Sequence, residues 1–421
     1  MAKFIIEGGK RLSGRVAISG SKNAALPILA ASLLTTGRCH LTNMPDIDDV
    51  NVMLKILADL GSQIKRPHRH EIIIATPKIR LSTPNPQLVQ RLRASILLAG
   101  ALIARTGQCR LFHPGGCVIG RRPIDTHLEA FRQLGVALRQ EDNYYQLTTK
   151  QLRGRQIFLD EVSVTATENA VMAACLARGK TTITPAACEP HVVDLCLFLQ
   201  KMGYQISGAG NHTIVITTNN KQLSTINIEH RLISDEVETG TLAAAALITK
   251  GKITLDNAPV DNLASIIHKL RQFGGRLSIK KPSLIVEYTE PLTAAGVQVD
   301  TWPRLPTDLQ PVLTVLATQS RGTSLIHDWM YERRLGYIDE LVKMGASITL
   351  CDPHRAIVAG PTKLSGGQII SPDIRAGIAF VLAGLIAKGK TEVDHIELIE
   401  RGYEDISGKL RQLGAEIKRV D

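Results

Sequence analysis

TKGKITLDNA at 249–258 has five counterparts along the chain: TTGRCHLTNM at 35–44, RTGQCRLFHP at 105–114, ARGKTTITPA at 177–186, SRGTSLIHDW at 320–329 and AKGKTEVDHI at 387–396. Each sets a glycine between an apolar segment and a β-like stretch. The glycines are Gly37, Gly107, Gly179, Gly251, Gly322 and Gly389, spaced by 70, 72, 72, 71 and 67 residues. A second register follows in phase: LADLGSQI, FRQLGVAL, LQKMGYQI, RQFGGRLS, LVKMGASI and RQLGAEIK, with Gly61, Gly135, Gly203, Gly274, Gly345 and Gly414. There a helical pattern ends in an apolar residue plus glycine and gives way to another strand. Two phase-locked signals at a period near 70 predict six copies of one αβ unit.

Each copy contains a segment that is apolar nearly all round: 24–34, 94–104, 170–177, 241–249, 311–318 and 376–387. A helix without a polar face must be buried on every side. The second helix of each copy, as at 262–273 or 339–344, is amphipathic and keeps one wet face. The strands, such as IIIA, TIVIT, SLIVE and AIVAG, are short and partly alternating, as in sheets covered on one side. The expected fold is therefore α/β, with sheets outside and buried helices within. At 421 residues a prior of about 150 per domain gives two or three domains, and six copies divide into two sets of three. One domain takes 22–233; the other takes 1–21 with 234–421, because FIIEGG and RVAISG belong to neither set by order. The crossings near 20–21 and 233–234 are expected to form a hinge beside an anion-collecting cleft.

Hydrophobic residues are 44% of the chain but aromatics only 4%, so the cores rely on Leu, Ile, Val and Ala. The net charge of +11 fits either a nucleic-acid surface or a site for multiply anionic small molecules. No basic block of five occurs, and aromatics are not interleaved with basic residues, which argues against nucleic acid. Seven scattered cysteines without a CxxC point to neither a disulfide framework nor a zinc site. The N-terminus lacks a signal-peptide core, and apolar runs such as 377–387 fall short of the ~20 residues of a membrane span. A cytoplasmic protein with no membrane partner is expected; the oligomeric state is left undetermined.

Three clusters carry chemistry. GSKNAA at 20–25 places Lys22 and Asn23 at a helix start, where charge, amide and unpaired N–H groups meet a phosphate, although a capping Asn beside a surface Lys is the plainer account. HPGGCVIGRRPIDTH at 113–127 combines glycines, prolines, two arginines and Cys117. A cysteine in a turn is ordinarily a buried apolar residue, but neighbouring arginines tune a thiol's ionisation. The third group is Arg93, Asp308, Arg334, Asp373, Arg375 and Arg401, at similar phases of the repeat. Singly each reads as a solvated residue; together the symmetric fold brings several to one cleft. Neither a G-x-x-x-x-G-K-[ST] loop nor H-E-x-x-H is present.

GSKNAALPILAASLL, RASILLAGALIAR, PGGCVIGRRPIDTH, SVTATEN, EPHVVDL, LPTDLQ, the Y-E-x-R segment at 331–334 and ERGYEDI, taken in order, resemble the UDP-N-acetylglucosamine 1-carboxyvinyltransferases. The resemblance implies two inside-out α/β domains, each of three βαβαββ units. It implies transfer of the enolpyruvyl group of phosphoenolpyruvate to the sugar 3-hydroxyl, with no metal or organic cofactor. By position Cys117 resembles the acid that protonates C3 and Asp308 the carboxylate that takes the hydroxyl proton. Lys22, Asn23, Arg122, Arg334 and Arg401 would hold phosphoenolpyruvate. UDP-N-acetylglucosamine would lie along Arg93, Arg122, Pro123, Ile124, Asp125, Thr126, His127, Glu161, Val162, Ser163, Val164, Thr165, Asp308 and Met330. Glu189, Asp235, Asp373 and Arg375 would support the site from behind. The sequence departs from the family pattern at Glu161, where Lys is common, at Thr165 for the Gly of SVGAT, at His191 for the second Glu of EPE, and at Glu236 for an Arg. The sister 3-phosphoshikimate enzymes share the architecture but not the cysteine loop. A non-catalytic repeat scaffold would explain the period but not single residues such as Cys117, Asp308 and Arg401.

Overall fold

The computed structural model describes residues 2–115, 119–218 and 223–421. Each copy opens with a buried helix, passes through a strand and an amphipathic helix, and continues into further strands. Lys22–Ala31, Leu98–Thr106, Val164–Ala174, Glu236–Ile248, Gln310–Thr318 and Ile374–Gly384 are the apolar helices that the sequence requires to be buried. In Glu236–Ile248 every residue is buried, its acidic first turn included. The Ala243–Ala246 run keeps that helix thin, while the flanking Leu242 and Leu247 are fully enclosed. Each such leucine contributes about 1.5–3 kcal/mol relative to an exposed one.

The second-register glycines work at the amphipathic helices. Gly61, Gly135, Gly203, Gly274, Gly345 and Gly414 all have positive φ, from 89° to 111°. A left-handed residue just past a helix closes its last turn, and glycine adopts that conformation without a Cβ penalty.

By chain contacts the molecule divides into two units: Gly20–Gly116 with Pro123–Ile233, and Met1–Ser19 with Ser234–Asp421, to which the short segment ending at Arg122 also belongs. In the N-terminal unit the strand of one copy pairs in parallel with a strand of another: Gln156–Phe158 joins Gly179–Thr184, and Ile228–Arg231, last in sequence, returns to Arg38–Thr42. The C-terminal unit repeats the scheme. Val297–Gln298 joins Gly322–His327, Gln368–Ile370 joins Lys390–Asp394, and Ser13–Ala17 joins Lys252–Asp256. Lys3–Glu7 lies antiparallel between Lys390–Asp394 and Glu416–Val420. It supplies the strand that the final copy lacks. The opening strands thus pair where their burial pattern, alternating in Lys3–Glu7, is best covered.

The sequence assigns the whole 113–127 loop to the first three copies, but residues 119–122 group with the C-terminal unit. The Arg333 N–H donates to the Ile119 carbonyl at 3.2 Å, and the Arg122 guanidinium lies 5.7 Å from the centroid of the Tyr331 ring. Among the described residues no helix is long and apolar enough to cross a membrane.

Candidate active site

In the C-terminal unit the residues converge on Asp308. It sits in the short 3-10 turn Thr307–Leu309, directly ahead of the buried helix Gln310–Thr318. Arg334 donates to its Oδ1 at 3.0 Å and Arg375 to its Oδ2 at 2.7 Å. The side chains of Arg334 and Arg375 are only 2% and 7% exposed, whereas that of Asp308 is 28% exposed. The carboxylate therefore faces solvent with two guanidiniums fixed behind it. Each oxygen accepts one of these bonds.

Why these arginines stay put is visible in their other contacts. Arg334 donates from Nε to Thr307 Oγ1 at 3.2 Å, and Thr307 donates onward to Asp328 at 2.6 Å. Asp373 caps Ile374–Gly384, accepting from the Arg375 and Ala376 N–H groups at 2.7 and 3.1 Å, and lies 3.9 Å from Arg334. The Arg375 guanidinium also stands 5.3 Å from the Tyr403 ring centroid. Burial alone would make both guanidiniums weaker cations, but Asp308 and its fellow carboxylates outweigh it and hold them firmly protonated. Burial raises the Asp328 carboxyl above its usual range, against the hydrogen bond from Thr307 and the charge of Arg334. Arg401 is half-buried at the end of Glu397–Glu400, two residues before Tyr403. Met330 is half-buried and donates its N–H to Asp328 at 3.1 Å. Asp235 is the buried cap of Glu236–Ile248, its carboxyl raised first by burial and then by Glu236.

The N-terminal unit holds the other candidates in separate groups. Lys22 opens the helix capped by Ser21 and pairs with Asp49 at 2.7 Å, where both side chains are largely buried. Asn23 beside it is half-buried. Pro123 and Ile124 lead into Asp125–Gln133, in which Thr126 donates to Glu161 at 3.1 Å. The Glu161 carboxylate therefore has a hydroxyl partner. Ser163 caps Val164–Ala174, and Val162, Val164 and Thr165 are half-buried around it. Arg93 begins the 3-10 turn Arg93–Leu97, and its charge acts on His127. Cys117 lies outside the described residues. The remaining described cysteines are buried, apart from the exposed Cys351.

Reading the sequence missed Asp49, Thr307, Asp328, Tyr331 and Tyr403. Asp328 lies in the repeat segment SRGTSLIHDW, and Thr307, Tyr331 and Tyr403 lie inside LPTDLQ, the 331–334 segment and ERGYEDI, beside the charged residues those motifs draw attention to; Asp49 alone of the five carried no motif. Asn169, inside SVTATEN, also went unweighed.

Glu168, next to Asn169, is 1% exposed, and its Oε1 has no hydrogen-bond partner among the described residues. Burial pushes its carboxyl from 4.5 up to about 8, with Glu189 adding to the rise and His191 opposing it. Glu189 precedes the helix Pro190–Lys201, and its buried Oε2 also has no hydrogen-bond partner among the described residues. Below the unfolded value both states carry the Glu168 proton; between the two values only the folded state does. Unfolding then releases a proton, and stability falls by up to about 1.4 kcal/mol per pH unit as pH rises towards 8. Glu168→Gln should flatten that decline in melting curves taken from pH 5 to 8. An unchanged slope would locate the proton elsewhere.

Residues 6–410 match the family described as EPSP synthase (3-phosphoshikimate 1-carboxyvinyltransferase). Over 426 residues the chain is 41% identical to the UDP-N-acetylglucosamine 1-carboxyvinyltransferase of Treponema denticola, with 99% of each covered. It is 42% identical over 422 residues to UDP-N-acetylglucosamine 1-carboxyvinyltransferase 2 of Carboxydothermus hydrogenoformans, with all of both covered. The crystal structure of the enolpyruvyl transferase NikO from Streptomyces tendae superposes with a TM-score of 0.91 at 25% identity, covering 100% of this chain and 99% of that one.

Proposed function

The chain belongs to the EPSP synthase family and, within it, to the UDP-N-acetylglucosamine 1-carboxyvinyltransferases, and from this we infer that it transfers the enolpyruvyl group of phosphoenolpyruvate to the 3-hydroxyl of UDP-N-acetylglucosamine. Full-length identity above 40% to proteins named for that activity is the observation that carries the reading. On this reading we propose a cytoplasmic transferase opening peptidoglycan synthesis, and hence a contributor to cell shape and division and a target of fosfomycin-type epoxides.

The chemistry is addition followed by elimination. The sugar oxygen bonds to C2 of phosphoenolpyruvate while C3 gains a proton. C3 then loses a proton, the C2–O bond to phosphate breaks, and inorganic phosphate leaves. Such a reaction needs an acid, a base and fixed cations for a carboxylate and a phosphate. Cys117 is assigned the C3 protonation; it also forms a covalent adduct when its sulfur adds to C2. Asp308 is assigned the hydroxyl proton, a role supported by its exposed face and its two anchoring arginines. Lys22, Asn23, Arg122, Arg334 and Arg401 bind phosphoenolpyruvate. The nucleotide sugar contacts Arg93, residues 122–127 and 161–165, and Met330.

Phosphate release from phosphoenolpyruvate tests the reading. Release is expected only when UDP-N-acetylglucosamine is present. Release with shikimate 3-phosphate instead would move the protein to the sister activity, and none with either acceptor would leave a scaffold.

A further inference from the structure

Thr165 differs from the glycine of the family pattern by a hydroxyl, and three buried groups dictate what that hydroxyl can do. Asn169 is 1% exposed and His127 is 3% exposed. The Gly100 N–H donates to Asn169 Oδ1 at 2.8 Å, which fixes the amide's orientation. A flipped amide would set NH2 against that N–H and an oxygen against the Ile96 carbonyl. Gly100 permits the contact, since a Cβ there would come within 2.5 Å of the Asn169 carbonyl oxygen.

The two amide protons of Asn169 are then both committed. One goes to the Ile96 carbonyl at 3.0 Å and the other to His127 Nδ1 at 2.9 Å. Nδ1 must accept, so the neutral ring carries its proton on Nε2. Burial, reinforced by Arg93, keeps the ring neutral by lowering its pKa to about 3. Nε2 lies 3.1 Å from Thr165 Oγ1. The threonine oxygen accepts there, and its own proton is left to donate outward. No acceptor for that proton is found among the described residues.

We infer that the Thr165 hydroxyl is a hydrogen-bond donor to a phosphoryl oxygen of the nucleotide sugar, with its direction set by His127 and Asn169 as positioning residues. The inference rests on the proposed function, which lays the nucleotide sugar along residues 161–165 among others. Phosphoryl oxygens only accept, so they suit a hydroxyl whose proton is turned outward. A glycine at this position offers its backbone alone. Thr165 therefore adds a contact particular to this sequence, in the region where Glu161 replaces a family lysine.

Binding of UDP-N-acetylglucosamine and of uridine to the full chain, by calorimetry, tests this with wild type, Thr165→Val and Thr165→Ser. Valine keeps the shape and removes the donor, so affinity for the nucleotide sugar should fall about tenfold or more. Serine should stay within about twofold, and uridine, which has no phosphate, should bind all three alike. The 15N shifts of His127 should report the Nε2–H tautomer. Undiminished binding by Thr165→Val, an equal loss for uridine, or an Nδ1–H ring would overturn the inference. If wild type transfers to UDP-N-acetylglucosamine while Thr165→Val binds normally, only this inference fails. If wild type neither binds nor uses that acceptor, the functional reading falls with it.

Discussion

Asp308→Ala is expected to stop turnover and to loosen the C-terminal unit at once. Two nearly inaccessible guanidiniums, those of Arg334 and Arg375, end on this one carboxylate at 3.0 and 2.7 Å. Removing it leaves both positive charges enclosed, with Asp373 at 3.9 Å from Arg334 as the nearest remaining counter-charge to that side chain. Breaking a buried pair costs about 3–5 kcal/mol, and the 28% exposure of Asp308 argues for the lower end. At about 3 kcal/mol the melting temperature drops by roughly 6–12 °C for a unit of this size. Loss of the carboxylate proposed to take the hydroxyl proton should separately lower kcat by about 10²–10⁴.

The two effects can be separated. Asp308→Ala combined with Arg375→Met removes one stranded charge, and it should regain part of the lost melting temperature while restoring no activity. Affinity for UDP-N-acetylglucosamine should change less than kcat in either variant. Asp308→Asn retaining a tenth of wild-type kcat would dismiss the carboxylate as base.

Cys117→Ser should cut kcat by a similar factor of about 10²–10⁴ while leaving nucleotide-sugar binding intact, because a hydroxyl is a far weaker acid than a thiol. Covalent labelling provides an independent readout. A fosfomycin-type epoxide should add one mass increment to the peptide bearing Cys117, and none to that peptide in Cys117→Ser. Burial raises the thiols of Cys39, Cys109 and Cys196 to about 12, so they offer almost no thiolate at neutral pH. Cys351 is exposed and serves as the internal control for indiscriminate alkylation. Labelling confined to Cys351, or full activity in the serine variant, would remove Cys117 from the chemistry.

The second-register glycines illustrate what local sequence carries well. All six were readable as helix ends because an apolar residue plus glycine has a local physical meaning, and all six take the left-handed conformation. The six buried helices were equally legible, since a segment that is apolar nearly all round has only one tolerable environment. Boundaries were less legible: 94–104 is in fact a 3-10 turn, Arg93–Leu97, running into Leu98–Thr106. The apolar pattern is the same in both helix types, and only the hydrogen-bond register differs. The candidate residues were found through motifs, whereas their partners were not. Lys22 advertises itself in GSKNAA, but nothing near Asp49 marks it as the counter-ion.

The amino-acid sequence alone determined the number of repeats, their division into two sets of three, the burial of one helix in each, and the residue types available for enolpyruvyl chemistry. Those properties are written in periodicity and in short motifs, which need no distant neighbour to be read. Only the tertiary structure decided that Asp308 is shared by Arg334 and by an Arg375 67 residues away, that Lys22 is paired with Asp49, and that His127 Nε2 lies beside Thr165 Oγ1. Such pairings depend on ångström-scale placement of side chains from different elements, within one repeat for Lys22–Asp49 and Asp308–Arg334 and across repeats for Asp308–Arg375 and His127–Thr165. A pattern that recurs in every copy says nothing about which copy supplies the partner.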